Sequence, residues 1–421
     1  MDKDNFINSL SKMVQHETIS IEGEENIDKF KSFHILLKNL FPLVHSNLEI
    51  VNIDGNLLYK WEGKSKEKLP ILLMNHMDTA PINGKWKYDG LSGVIKEGYI
   101  WGRGTLDTKG PLCAIFSALE ELLEEGYKPY RDIYLASSRN EEIAGDGAPK
   151  IVEYLKSKNI CFETLLDEGG AILDKPLPLL KKKFALIGVG EKGHVILDFY
   201  TEDNVSLKDN FKYIKKYLEE DSPFKGKIND VVRDMFLETS KEMKMPLSFI
   251  FKNSKKLEKV LIKVLSKVSK EAGSIIKSTC SVKFNEKENK IRVVIKVSKE
   301  DGLDYSINLV KNIGEKYKLK SKILYKYPPS EIYSMNSKGF KKVKESLKTV
   351  YKDVGVAPYL MIAGTDARHY DSISKCSLRF APLDLKMEDL KRVHNVNERL
   401  EVKNFYKMID FYKNFIKGYD N

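Results

Sequence analysis

The strongest constraint on the fold of this chain is a pattern repeated through its first half: a short apolar run that ends in imidazole or carboxylate side chains. The first case is Leu72-Leu73-Met74-Asn75-His76-Met77-Asp78-Thr79. The second is Ile133 to Ser137 leading into Ser138-Arg139-Asn140-Glu141-Glu142, and the third is Leu165-Leu166-Asp167-Glu168-Gly169-Gly170. Each run is too short for a helix and reads as a buried strand. An amphipathic helix at 111–125, after Gly110-Pro111, and another from about Ala148 to Lys158 lie between them. Strands alternating with helices predict an α/β sheet. Ionisable residues at the strand C-termini place a site along that edge.

The flanking segments fit the same reading. Residues 3–15 and 25–40 carry apolar positions at helical spacing, and Leu48–Ile53 and Leu57–Trp61 form a hairpin around Asp54-Gly55-Asn56. The character changes near residue 190, where the chain becomes Lys-rich and poor in catalytic groups. There the pattern reads strand (Val195–Tyr200), helix (Lys208–Glu219), a variable helical section (Ile228–Ser269), two strands (Thr279–Phe284, Lys290–Val297) and a helix (Leu303–Lys316). After Pro328-Pro329 helices return at 337–352 and 401–417. The expected organisation is a catalytic domain in two parts, 1–189 and 327–421, interrupted by a second domain at 190–326. A length of 421 residues suits two cores.

Composition narrows the function classes. No apolar stretch approaches the ~20 residues of a membrane span, and the start Met1-Asp2-Lys3-Asp4-Asn5 lacks the basic and apolar regions of an export signal. Cys113, Cys161, Cys280 and Cys376 are scattered with no CxxC pair. That argues against a disulfide framework and a Cys-based zinc site, and fits a reducing cytoplasm. The net charge of +11 raises nucleic-acid binding. The lysines, however, are dispersed, arginine is scarce, and no zinc-finger, RNP or phosphate-loop pattern occurs. The expectation is a soluble protein that contacts neither nucleic acid nor membrane.

The motifs that could do chemistry are weak singly. His76 and Asp78 share a strand face, so Asp78 can accept a hydrogen bond from the ring nitrogen that is not used for a metal. A lone histidine at a strand end is more often structural. In Trp101-Gly102-Arg103-Gly104-Thr105-Leu106-Asp107-Thr108-Lys109-Gly110, closely spaced glycines imply a tight backbone path. Asp107 stands where that path enters a helix, and N-capping is its ordinary role. Glu141 and Glu142 face opposite ways on an extended backbone, which lets one bind a metal while the other acts as a base. The last motif is Val393-His394-Asn395-Val396-Asn397-Glu398. Two histidines and three carboxylates are the donor set for two neighbouring zinc ions with one bridging Asp. Such donors select zinc, or manganese and cobalt, over calcium and magnesium.

In order and approximate spacing, His76-Met77-Asp78, Gly102-Arg103-Gly104 through Asp107-Thr108-Lys109-Gly110, Glu141-Glu142, Asp167-Glu168-Gly169 and His394 resemble the di-zinc metallopeptidase family of aminoacylase, glutamate carboxypeptidase, acetylornithine deacetylase and succinyl-diaminopimelate desuccinylase. Ile362-Ala363-Gly364-Thr365-Asp366-Ala367-Arg368-His369-Tyr370 is closest to its carboxypeptidase S and N-acyl amino acid hydrolase branch. The resemblance implies a zinc-exopeptidase-like domain with a mixed central sheet flanked by helices, and an inserted α+β, ferredoxin-like lid. It implies that His76 and the carboxylate at 167/168 hold one zinc, that Glu142 and His394 hold the other, and that Asp107 bridges them. Relatives use either residue type at 167/168, and Glu168 is preferred here. Cobalt or manganese could replace zinc.

By the same resemblance Asp78 orients His76, the peptide after Asp107 is cis, and Glu141 is the base that takes a proton from a metal-bridging water and returns it to the leaving amine. Substrate contacts fall to Gly364, Thr365, Arg368 and His369, with the guanidinium suited to a substrate carboxylate. The implied substrate is a small peptide or an N-acyl amino acid, and a homodimer through the insert remains open.

The insert departs from the family. Its first strand is followed by Thr201-Glu202-Asp203-Asn204-Val205-Ser206, without the family's Gly-His-Ser-type segment, and His194 precedes that strand. The later Asn-x-x-Pro and Asn-x-Arg elements are also missing. Loss of an oxyanion donor can cost ~10²–10³ in rate. A second reading is therefore a metal-binding homologue that is slow or non-enzymatic and uses its altered lid for binding.

Overall fold

The computed structural model describes residues 3–24, 27–176, 180–202, 206–268 and 270–419. The chain divides into two compact units. The first comprises Met1–Gly188, Tyr333–Ala357 and Thr365–Asn421, and the second Val189–Ile332 and Pro358–Gly364.

The first unit is built on the sheet predicted from the apolar runs. From one edge its strands run Glu49–Ile53, Asn56–Trp61, Ile133–Ser138, Ile71–His76, Thr164–Asp167 and Ser377–Arg379, then Phe184–Glu191, Ile172–Leu173 and Asp384–Leu385, with Gly355–Met361 pairing to Phe184–Glu191. The sheet is mixed. Ile71–His76 lies parallel to both Ile133–Ser138 and Thr164–Asp167, whereas Asn56–Trp61 is antiparallel to Ile133–Ser138. The three parallel strands thus end on one edge at His76, Ser138 and Asp167. That is the edge of an α/β sheet where ligands bind.

Burial on both faces explains why the central strands lack polar alternation. Leu72 and Met74 pack with Ala148, Ile151 and Leu155 of the helix Gly147–Ser157, and with Tyr370 and Ile373 of the turn Asp366–Ile373. The helix Lys109–Glu124 is buried along nearly its whole length and packs against Val402–Gly418 and Lys3–Gln15. Each such Leu or Ile contributes about 1.5–3 kcal/mol through burial. The predicted helix at 25–40 spans Asp28–Leu40, and residues 25–26 lie outside the described residues.

The second unit has a four-stranded antiparallel sheet in the order Thr279–Asn285, Lys290–Val297, Gly193–Tyr200, Lys320–Tyr327. With the helices Leu207–Lys215 and Leu303–Lys316 the chain order is βαββαβ, the ferredoxin-like arrangement expected of the insert. Every second residue of Lys290–Val297 is buried (Ile291, Val293, Ile295, Val297), and these pack with Val195, Leu197, Phe199, Ile307 and Val310. The variable helical section resolves into Asp230–Ser240, Leu247–Lys252, Glu258–Val268 and Lys270–Ile276, with residue 269 outside the described residues. Residues 203–205, within the segment that replaces the family's histidine motif, also lie outside them.

The strand Lys320–Tyr327 is not anticipated by the sequence reading. Among the described residues it pairs only with Gly193–Tyr200, and it leaves alternate residues exposed, so its Lys-rich sequence carries a weak apolar signal.

Candidate metal centre

The strand Ile71–His76 carries His76 to the sheet edge. Its Nδ1 lies 3.0 Å from the Asp78 carbonyl oxygen and 3.2 Å from Asp78 Oδ1. Both neighbours are acceptors, so Nδ1 is placed to donate to them, and Nε2 is the atom turned toward the acidic cluster. Nε2 is 3.1 Å from Asp107 Oδ1, 3.6 Å from Glu168 Oε1 and 4.0 Å from Glu141 Oε2.

Asp107 stands between two imidazoles. Its second oxygen, Oδ2, is 2.8 Å from His394 Nε2, and that nitrogen is 3.1 Å from Glu142 Oε2. The donors fall into two sets that share Asp107: His76 with Glu168, and His394 with Glu142. Potential ligand atoms of His76, Asp107 and Glu142 lie within 4.8 Å of one another, as do those of His76, Glu141 and Glu168. N-capping, the ordinary role for Asp107, does not apply. The helix starts at Lys109 after Thr108, without a side-chain cap, and both Asp107 oxygens face histidines. The Asp107–Thr108 peptide is cis, as the resemblance implies. The backbone path before it is as tight as its glycines suggest. Gly104 has φ +90°, and a Cβ on Gly110 would sit 2.1 Å from the Thr105 carbonyl oxygen.

The glutamate pair differs from expectation. It is not extended: Glu141–Ile143 forms a 3₁₀ turn closed by Ala144 at φ +50°. The cause is Asp78, which is fully buried; its Oδ1 accepts the Glu141 N–H and its Oδ2 the Glu142 N–H, both at 3.1 Å. Folding the pair into a turn brings both carboxylates to one centre. Glu142 Oε1 also accepts the Ala80 N–H at 2.9 Å.

At the third strand end the two carboxylates separate. Asp167 Oδ2 accepts the Ala367 N–H at 2.8 Å and so serves the turn Asp366–Ile373, while Glu168 reaches His76. Arg368 and His369 lie on that turn, with Arg368 Nε donating to His369 Nε2 at 3.3 Å. The Thr365 hydroxyl accepts the Ala367 N–H at 3.3 Å. Gly364 closes the second unit's last segment. None of Asp167, Gly364, Thr365, Arg368 and His369 belongs to a metal-ligand group among the described residues.

Two buried carboxylates had no role in the sequence reading. Glu398 Oε1 accepts the N–H groups of Gly104 (3.1 Å), Leu106 (2.8 Å) and Asp107 (3.2 Å), and its Oε2 takes Arg103 Nη1 at 2.5 Å. Asp366 Oδ2 accepts the Ser138 hydroxyl at 2.5 Å. Both lie inside the motifs already quoted, but the signal that would single them out is contact with residues far away in sequence.

The electrostatics are those of a crowded, desolvated acidic cluster. Burial pushes Glu141 and Glu168 well above the usual carboxylate range, and neighbouring acids add to it, Asp366 and Asp107 for the first and Asp107 for the second. Burial also acts against ionisation of Asp107, but its hydrogen bonds to His394 and His76 outweigh it and hold the carboxyl low. His394 is raised to about 10 by its hydrogen bonds to Asp107 and Glu142. Desolvated like charges at this spacing are stable only with compensating positive charge.

A model of peptidase family M20/M25/M40 matches residues 72–418. A probable carboxypeptidase S-like protein 2 of Dictyostelium discoideum is 33% identical over 97% of this chain and 84% of its own length. An N-fatty-acyl-amino acid synthase/hydrolase, PM20D1 of Xenopus tropicalis, is 28% identical over 100% of this chain and 86% of its own. Among solved structures, an M20 family metallo-carboxypeptidase from Sulfolobus solfataricus superposes with a TM-score of 0.70 at 18% identity, covering 99% of both chains.

Proposed function

The chain belongs to peptidase family M20/M25/M40 and is a hydrolase of that family, and from that premise we propose that it cleaves a peptide or N-acyl amide bond next to a substrate carboxylate with the help of two zinc ions. The observation that carries this reading is Asp107 set between His76 and His394, each imidazole with its own further carboxylate. The donor set fits the metals: imidazole nitrogens and carboxylate oxygens converge, and the crowded acids need positive charge. His76, Asp107 and Glu168 would hold one ion, and His394, Asp107 and Glu142 the other. When bound, the ions would polarise the scissile carbonyl and make a water acidic enough to attack it near neutral pH.

The remaining work falls to side chains. Glu141 is the proton carrier: it reaches the same centre as the ligands, and its burial favours the protonated form it must adopt after taking a proton from the attacking water. It then hands that proton to the departing amine nitrogen. Arg368, on the turn Asp366–Ile373, is the counter-ion for the substrate carboxylate, a role that suits a guanidinium. Four unpaired cysteines support work in a reducing cytoplasm.

The test is Glu141→Gln. The zinc-loaded variant should retain both equivalents of metal and lose about 10²–10⁴ in kcat on N-acyl amino acids. Full activity would refute the assigned carrier, and loss of one zinc would make Glu141 a ligand instead.

A further inference from the structure

We infer that Glu398 is the residue that sets the separation of the two metal-binding sets, by fastening the Asp107 loop to the segment that carries His394. This rests on the two-metal reading above. Glu398 follows His394 by four residues, and its own carbonyl oxygen accepts the Gly102 N–H at 2.9 Å. Its carboxylate then takes the Gly104, Leu106 and Asp107 amides on one oxygen and Arg103 on the other. Main chain and side chain of one residue thus hold the loop from 102 to 107 at both ends.

The chemistry of the contact is specific. Three converging N–H groups and a guanidinium are all donors, and only a carboxylate offers acceptors on both sides with a charge to match. Glu398 is fully buried and Arg103 is 1% exposed, so water cannot stand in for either partner. Arg103 is held in turn by the Pro81 carbonyl oxygen at 3.2 Å and by Trp86, whose ring centre is 5.4 Å from the guanidinium carbon. The Asp107 amide is a direct partner, so a shift of Glu398 is passed to the carboxylate between the two histidines. His394 itself sits in an exposed loop at φ +59°. The Glu398 anchor four residues on ties that loop to the backbone of Asp107, beside the Lys87 N–H that Asn397 Oδ1 accepts at 2.6 Å. Glu398 is therefore a positioning residue: among the described residues it belongs to neither metal-ligand group, and its contacts are with Arg103 and the loop amides.

The test uses the metal-free 421-residue chain and Zn²⁺ alone, titrated in competition with a chromophoric chelator. Glu398→Gln keeps the shape but sets its amide against Arg103 or against the loop amides. Glu398→Asp keeps the charge but is one methylene too short to serve both sides, and it covers the case in which the first variant does not fold. In either variant zinc affinity should fall about 10–100-fold. The fall in kcat should exceed any change in KM, and the far-ultraviolet spectrum of the metal-free protein should be unchanged. Zinc affinity within twofold of wild type in a folded variant would overturn the inference, even if thermal stability dropped. A wild-type chain that binds no zinc would sink the metal reading itself, and the inference with it.

Discussion

Asp78→Asn is the perturbation for which the structure gives the sharpest expectation. Asp78 Oδ1 meets two donors, the Glu141 N–H at 3.1 Å and His76 Nδ1 at 3.2 Å, while Oδ2 meets one, the Glu142 N–H at 3.1 Å. An asparagine has a single oxygen, and its lowest-energy placement is at Oδ1, where two donors converge. The amide NH₂ is then forced against the Glu142 N–H in a site without solvent. One charge-assisted hydrogen bond is lost and a buried donor is left unmatched, a cost of about 1.5–3 kcal/mol. If that cost is relieved by moving Glu142 off its position, it appears as weaker metal binding, and about 2 kcal/mol corresponds to roughly 30-fold. The damage should concentrate on the ion that Glu142 and His394 would hold, because His76 keeps its partner. The assay is a two-site zinc titration against a chelator, read beside circular dichroism and kcat/KM. Two zinc affinities unchanged within about twofold would refute the argument that Asp78 builds the site through the glutamate turn.

Other expectations follow from the same structure. Arg368→Met should raise KM for N-acyl amino acids about 10–100-fold, the equivalent of one lost charge-assisted contact, with zinc content unchanged; a shift in kcat alone would refute the carboxylate role. Burial lowers Lys192 from 10.5 to about 8 in the second unit, and its Nζ donates to the Lys277 carbonyl oxygen. Between those two values the unfolded chain binds more protons than the folded one, so this group makes stability rise with pH across that window. Lys192→Met should remove that rise and add on the order of 2 kcal/mol below pH 8, in urea melts at pH 7 and pH 10; parallel profiles for the two proteins would refute it. Gly314→Ala places a Cβ 2.2 Å from Phe199 Cε1. It should destabilise by about 1–3 kcal/mol in chemical denaturation despite alanine's helix preference.

The sequence by itself determined the frame. Apolar runs such as Ile71–Met74 and Ile133–Ala136, too short for helices, read as strands covered on both faces. The order of strands and helices then fixes an α/β sheet and the edge on which His76, Glu141, Glu142 and Glu168 emerge. The insert was equally readable where burial alternates, as in Lys290–Val297, and unreadable where a lysine-rich edge strand needs only one neighbour, as in Lys320–Tyr327.

Tertiary structure decided how the site is held. Local sequence suggests an extended Glu141-Glu142 and an N-capping Asp107. The fold replaces both because Asp78, two residues past the end of the strand Ile71–His76, supplies the acceptors that bend the glutamate pair, and because two histidines claim Asp107. It also parts Asp167 from Glu168, giving the first a main-chain amide at Ala367 and bringing the second to 3.6 Å from His76. Periodicity reports which face of an element is buried. It does not report which donor from 295 residues away will meet a carboxylate, as Arg103 meets Glu398.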